Sequence, residues 1–137
     1  MRVVLIAASV LVLSGCSPAA PDESLPPSAV PPAVDCLTVS AGSLDAIRVG
    51  VQMIEPGNDV GSAAAIAVND MWFVAAEVTG AGMTPQVGVW VTQNDPTTSE
   101  SNAYNSVDGV AANFSDYVQS PFYDVTSAGI DEVESCI

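Results

Sequence analysis

No histidine occurs in the sequence, and its two basic residues are Arg2 and Arg48. A Ser-His-Asp triad cannot be assembled without histidine. Without lysine there is neither a Ser-Lys pair nor a Schiff base, and the usual zinc ligand sets are missing as well. Carboxylates are what remain, as paired acids for glycoside cleavage or as oxygen ligands for a hard metal ion. Asp131, Glu132 and Glu134 form the densest group. On a short helix they read as a solvated face near its N-terminus, where negative charge is favourable. The polar loop of residues 94–102 carries Asp and Asn oxygens, but it lacks the ordered D-x-[DN]-x-[DN]-G spacing of a calcium loop, so turn and capping duty is expected of it. Arg48 follows Asp45 by three residues and precedes Glu55 by seven. That spacing suits a surface ion pair better than an anchor for an anionic ligand. Asn113-Phe114-Ser115 matches a glycosylation sequon, and inside an expected helix it reads as a chance match. No catalytic residue, metal or cofactor is assigned.

Three cysteines stand at positions 16, 36 and 136. Ahead of the first, Met1-Arg2 supplies one positive charge and residues 3–13 an apolar run. The run falls short of the roughly 20 residues a transmembrane helix needs and fits the charged start and short apolar stretch of a signal peptide. Leu13-Ser14-Gly15-Cys16 resembles the lipobox of bacterial lipoproteins. The resemblance covers the signal alone. It implies cleavage before Cys16 and a diacylglycerol thioether on that cysteine, which places the chain on the extracytoplasmic face of a cell membrane. An ordinary signal peptide followed by a chance cysteine is the alternative. An exported chain with three cysteines leaves one unpaired unless it has other employment. Lipidation would remove Cys16 from the count, leaving Cys36 and Cys136 to bond in a compartment where disulfides persist. A closed loop of about 100 residues is worth up to ~4.7 kcal/mol in the chain-entropy description. Two buried free thiols are the alternative reading. Once bonded, neither cysteine can serve as a thiolate nucleophile.

All sixteen acidic residues follow Cys16, against Arg48 as the one cation there. Such a chain cannot build the phosphate-neutralising surface that supplies most nucleic-acid affinity, and anionic headgroups repel it. Its 49% apolar and 13% charged content nevertheless separates it from acidic disordered tails.

The elements follow from periodicity. Six prolines at 18, 21, 26, 27, 31 and 32 make residues 16–35 a lipidated cysteine and Pro-rich disordered tether, behind a signal peptide over 1–15. In semi-extended geometry the tether could reach on the order of 50 Å. Residues 36–137 are then one globular domain of typical size. Leu44, Ile47, Val51 and Ile54 predict a helix over 43–55, with Ser43 able to cap it and Pro56-Gly57 ending it. Gly50 inside that helix costs up to about 1 kcal/mol. Residues 64–68, 71–79 and 87–93 read as strands joined by Asn69-Asp70 and by the turn-forming stretch 80–85. Val107, Val110, Ala111 and Phe114 predict a second helix, and residues 127–135 a short third one capped by Ser127. The expected architecture is α+β: a small two-layer domain, a three-stranded antiparallel meander packed by two or three helices and closed by one disulfide.

Period-two counting places Trp72, Val74, Ala76 and Val78 on one side of the second strand and Val87, Val89 and Val91 on one side of the third, and these two sides are expected to meet the helices. The other face would then join Phe73 and Ala75 to Gly88 and Trp90. An apolar patch around Phe73 and Trp90 is a possible binding face if exposed, although a loop, the tether or a helix is expected to cover it. The layout of lipobox, Pro-rich tether and small disulfide-closed domain resembles small lipoproteins of actinobacterial type. That likeness is architectural and implies an anchored, outward-facing domain. Two functions fit: a non-catalytic binding or interaction module, meeting the membrane through Cys16 and an envelope protein through its surface, and a carboxylate-dependent cell-envelope enzyme such as a glycoside hydrolase. The first is preferred.

Overall fold

Met71–Thr79 is the centre of the fold, and its apolar run is hydrophobic on both faces, with Phe73, Val74, Ala75 and Ala76 all buried. A strand of this kind demands cover on two sides. In the computed structural model, which describes residues 34–98 and 103–137, that cover comes from helices on both faces. The signal segment, Cys16, the tether up to residue 33 and residues 99–102 of the polar loop lie outside the described residues. The elements are β1 Leu37–Thr38, α1 Ala41–Ile54, β2 Asp59–Val68, β3 Met71–Thr79, β4 Gln86–Thr92, β5 Asn105–Ser106, α2 Gly109–Phe114 and α3 Ile130–Glu134. The strands form one antiparallel sheet in the order β1-β2-β3-β4-β5. The class is thus α+β with a disulfide, as expected, but with five strands rather than three. The outer strands have two residues each, too few to produce a periodic signal.

The two-layer expectation is corrected by the register between β3 and β4. Val74 lies opposite Trp90, and Phe73 opposite Val91. One face therefore joins Ala65, Val74, Ala76, Val78 and Trp90 beneath Ile47 and Val51 of α1 and Ala111 of α2. The other joins Ile66, Phe73, Ala75, Val89 and Val91 against Ile130 and Val133 of α3. Alternation within each strand is as the sequence indicates, but the relative phase of the two strands is opposite to the expected one. A one-residue difference in how residues 80–85 close the hairpin swaps the faces entirely.

β2 starts five residues earlier than its apolar run suggests. Gly61 and Ser62 together face the single residue Glu77, a bulge between Val60 and Ala63. Because of that extra residue Val60 and Ala63 can both serve the α1 side despite their odd spacing.

Helix α1 is capped by Ser40, whose hydroxyl accepts from the Ser43 amide at 3.3 Å. Ser43, the expected cap, is instead fully buried one turn in. The buried stripe is Ser43, Ile47, Gly50 and Val51, while Ile54 is exposed at the end. Gly50 is needed because the Tyr117 ring lies across it, so that a Cβ there would sit 2.5 Å from Tyr117 Cε2. Tyr117 in turn donates from its hydroxyl to the Ala46 carbonyl at 2.8 Å. Asp108 caps α2, accepting from the Ala111 amide at 2.7 Å. α3 starts at Ile130 rather than at 127, and the Glu132 carboxylate accepts from the Gly129 amide at 3.0 Å. Cys36 and Cys136 are bonded, with Cα atoms 5.8 Å apart, and fasten the segment before β1 to the end of α3. No helix among the described residues is long and apolar enough to cross a membrane.

Candidate functional site

Phe73 and Trp90 do not make a binding face. They lie on opposite sides of the sheet, at 1% and 0% exposure. Phe73 meets Tyr123 edge to face, with ring centroids 5.4 Å apart. Trp90 lies under α2 and donates from its indole nitrogen to Ser115 Oγ at 3.1 Å, and Ser115 passes its own proton to the Ala111 carbonyl at 2.6 Å. Both rings are core residues, held in place by the strand phase and by these partners.

The carboxylates are dispersed. Asp131, Glu132 and Glu134 are exposed on α3, with Glu132 engaged at the helix start. Partial burial, with Asp108 and Asp131 nearby, raises the Glu134 pKa above its ordinary value. No group of three potential metal ligands comes together among the described residues. Asp95 folds back on its own loop, accepting from the Thr97 amide at 2.8 Å and the Thr97 hydroxyl at 2.7 Å. Such local closure is what a turn-forming aspartate does. Arg48 pairs with Asp45 and with Asp59, the latter at 2.6 Å. Asp59 takes the place of Glu55 because β2 returns alongside α1. The Arg48 guanidinium, helped by the Val60 amide, holds the Asp59 carboxyl below its ordinary range. The described domain's one cation is thus engaged.

A different surface stands out at the end of β4 and β5. After α2 the chain runs beside β5: the Ser106 amide donates to the Val118 carbonyl at 3.1 Å, and the Ser120 amide donates to the Ser106 carbonyl at 2.8 Å. Asn105 Nδ2 adds a 3.1 Å bond to the Val118 carbonyl. The Ser120 hydroxyl then accepts from the amides of Phe122 and Tyr123 at 3.3 and 3.1 Å. Tyr123 turns inward onto Phe73, and Phe122 is thrown outward at 85% exposure. Beyond it Asp124 accepts from the Thr126 hydroxyl and amide, which hold its carboxyl below its ordinary range, and the Asp124 amide donates to Ser127 Oγ at 3.0 Å. The segment is a closely hydrogen-bonded loop that displays an aromatic ring.

Phe122 forms one wall of a groove of roughly 510 Å³. Met71, Val91, Pro121 and Tyr123 supply its other apolar surface, while Thr92, Gln93, Asn94, Asn105 and Ser120 supply amides and hydroxyls. Among the described residues no charged side chain lines it. Val118 and Val125 extend the exposed apolar surface of the same loop. Its dimensions and mixed lining fit a small-ligand or chain-binding cleft, and among the described residues its hydroxyls have no carboxylate beside them in the lining.

A second groove, of roughly 650 Å³, opens where the chain enters the domain, between Val34, Cys36 and Leu37 on one side and Ile66, Ala67 and Val68 of β2 on the other. Asp35 and Glu132 are among its lining residues, so it is acidic where the described lining of the Phe122 groove is uncharged. The sequence signal for the Phe122 site was Ser120-Pro121-Phe122-Tyr123, two adjacent aromatic residues in a stretch with neither helical nor strand periodicity. Comparison with family models, with curated proteins and with solved structures finds no match.

Proposed function

We propose that this chain is a lipid-anchored extracytoplasmic protein whose domain is a non-catalytic binding module, with the Phe122 groove as its binding surface. The observation that carries this reading is Phe122 itself, a large aromatic ring kept in solvent by a loop whose backbone is bonded on both sides of it. Exposing a ring of that size forgoes roughly 1.5–3 kcal/mol of burial, and a loop free to relax would fold it inward. The anchor reading rests on the lipobox-like Leu13-Ser14-Gly15-Cys16. With the tether it would present the domain to an envelope component some tens of ångströms from the lipid. The acidity of the chain argues against nucleic acid. A carboxylate-based enzyme needs two cooperating acids in a cleft. Among the described residues the Phe122 groove has none, and in the other groove Glu132 is committed to the start of α3.

The test is retention on the envelope fraction of cells expressing the full chain. The wild-type protein should resist extraction until detergent is added, and Cys16→Ser should release it into the soluble fraction. In detergent, a chemical crosslinker should join the wild-type chain to an envelope component, and Phe122→Ala should abolish that product with no change in thermal midpoint. An unchanged product with Phe122→Ala would remove the groove from the reading. Cys16→Ser as firmly held as wild type would remove the anchor.

A further inference from the structure

Resting on the reading of the Phe122 groove as the binding surface, we propose that its ligand is an uncharged polyhydroxylated chain, a neutral glycan. The lining selects by charge first. An anionic ligand finds no cation there and meets a chain of net charge −14, whose described cation, Arg48, is paired with Asp45 and Asp59 on α1 and β2. A cationic ligand finds no carboxylate among the described residues that line the groove. In a molecule otherwise so rich in acids, the described lining of this cleft is uncharged, so what it offers a ligand by contact is amides, hydroxyls and an aromatic ring.

The polar atoms select next. Gln93 and Asn94 are exposed, and their side chains have no hydrogen-bond partner among the described residues. Each carboxamide offers two donors and an acceptor, which matches sugar hydroxyls that both donate and accept. A purely apolar ligand would bury these amides without replacing their water, at the cost of an unmade hydrogen bond for each. Phe122 lines the same groove and leaves its ring 85% exposed. A pyranose ring has this same two-sided character, with a face of C–H groups that packs on an aromatic ring and a rim of hydroxyls that reaches the amides.

Peptide recognition by strand addition fits poorly, because the sheet edge at the groove is already occupied. Ser106 of β5 bridges to Gln119, and its backbone amide and carbonyl are taken by Val118 and Ser120. The row of free backbone groups that an added strand requires is absent from that position. What the groove offers a ligand is side-chain amides, hydroxyls and an aromatic face.

The experiment uses the full chain in detergent micelles, immobilised for surface-based titration against cellohexaose, maltohexaose, xylohexaose and chitohexaose, with an acidic and a basic hexapeptide as contrasts. At least one glycan should bind saturably and neither peptide should. Phe122→Ala should weaken glycan binding about tenfold, and Phe122→Trp should retain it, since the larger ring keeps the platform. Gln93→Ala with Asn94→Ala should weaken it without altering the thermal midpoint. Saturable binding of either peptide in preference to all four glycans would overturn the proposal, as would the absence of binding by every glycan. If no glycan binds while Phe122→Ala still abolishes the crosslinked envelope product, the groove remains a binding surface and only the glycan is wrong. If that product is also unaffected, both readings fall.

Discussion

At the level of single residues, side chains whose sequence context suggested solvent or cost prove to be held by particular partners. Gly50 looks like a defect inside a helix, yet the Tyr117 ring occupies the space its missing side chain leaves. Gly50→Ala should therefore destabilise the domain by roughly 1–3 kcal/mol through overpacking, against a propensity gain of only about 1 kcal/mol, and a lowered urea midpoint would register it. Tyr117 carries a second expectation. Burial, with Asp116 and Tyr104 beside it, raises its pKa to about 12. The unfolded chain would give up this proton near the ordinary tyrosine value of about 10 while the folded chain keeps it. The contribution is thus fully present below about pH 10 and is lost as pH rises from there through the folded value. Urea midpoints of wild type should fall between about pH 10 and pH 12 more steeply than those of Tyr117→Phe; parallel profiles would count against this proton being responsible.

Among the elements, α2 is the one most dependent on its cap, having only six residues. Asp108 is buried, and desolvation raises its pKa even though the Ala111 amide, bonded to it, favours the charged form. Asp108→Ala should cost about 1 kcal/mol, the usual loss for a helix cap. Asp108→Asn keeps the acceptor and removes the buried charge, so at neutral pH it should match wild type within about 0.5 kcal/mol. Equal losses for both substitutions, read from chemical denaturation, would show that the charge and not the acceptor holds the helix. The short helices and strands were legible to different degrees. β3 has the bounds expected of it, because a run of six apolar residues, 71–76, behind the Asn69-Asp70 turn leaves little choice. β1 and β5, each of two residues, exist only because a neighbouring strand offers them partners.

For the molecule as a whole, the Cys36–Cys136 bond closes 100 residues of chain. Replacing both cysteines by serine should lower unfolding free energy by ~2–5 kcal/mol, and the urea transition of the double variant, compared with oxidised wild type, measures it. A loss of well under 1 kcal/mol would mean that the sheet and its two helical layers already hold the ends together. Helices on both faces bury the centres of β3 and β4, while α1 leaves Val49, Met53 and Ile54 exposed on its outer side and Phe122 stays outside because a bonded loop puts it there.

Much of this was determined by residue types alone. The absence of histidine and lysine rules out whole classes of chemistry wherever the chain goes, and the two cysteines within the domain, near its ends, are the ones that bond. The apolar alternation of residues 71–79 makes a buried strand in almost any packing. Tertiary structure decided the rest, because periodicity sets which residues of one strand share a side and leaves open how two strands are phased. That phase sent Phe73 and Trp90 to opposite layers of the core. The return of β2 beside α1 brings Asp59 to Arg48 in place of Glu55. The Phe122 surface depends on hydrogen bonds between Ser120 and its neighbours and on Tyr123 turning in toward Phe73. Contacts between segments distant in sequence leave no periodic trace, and the candidate site is made of them.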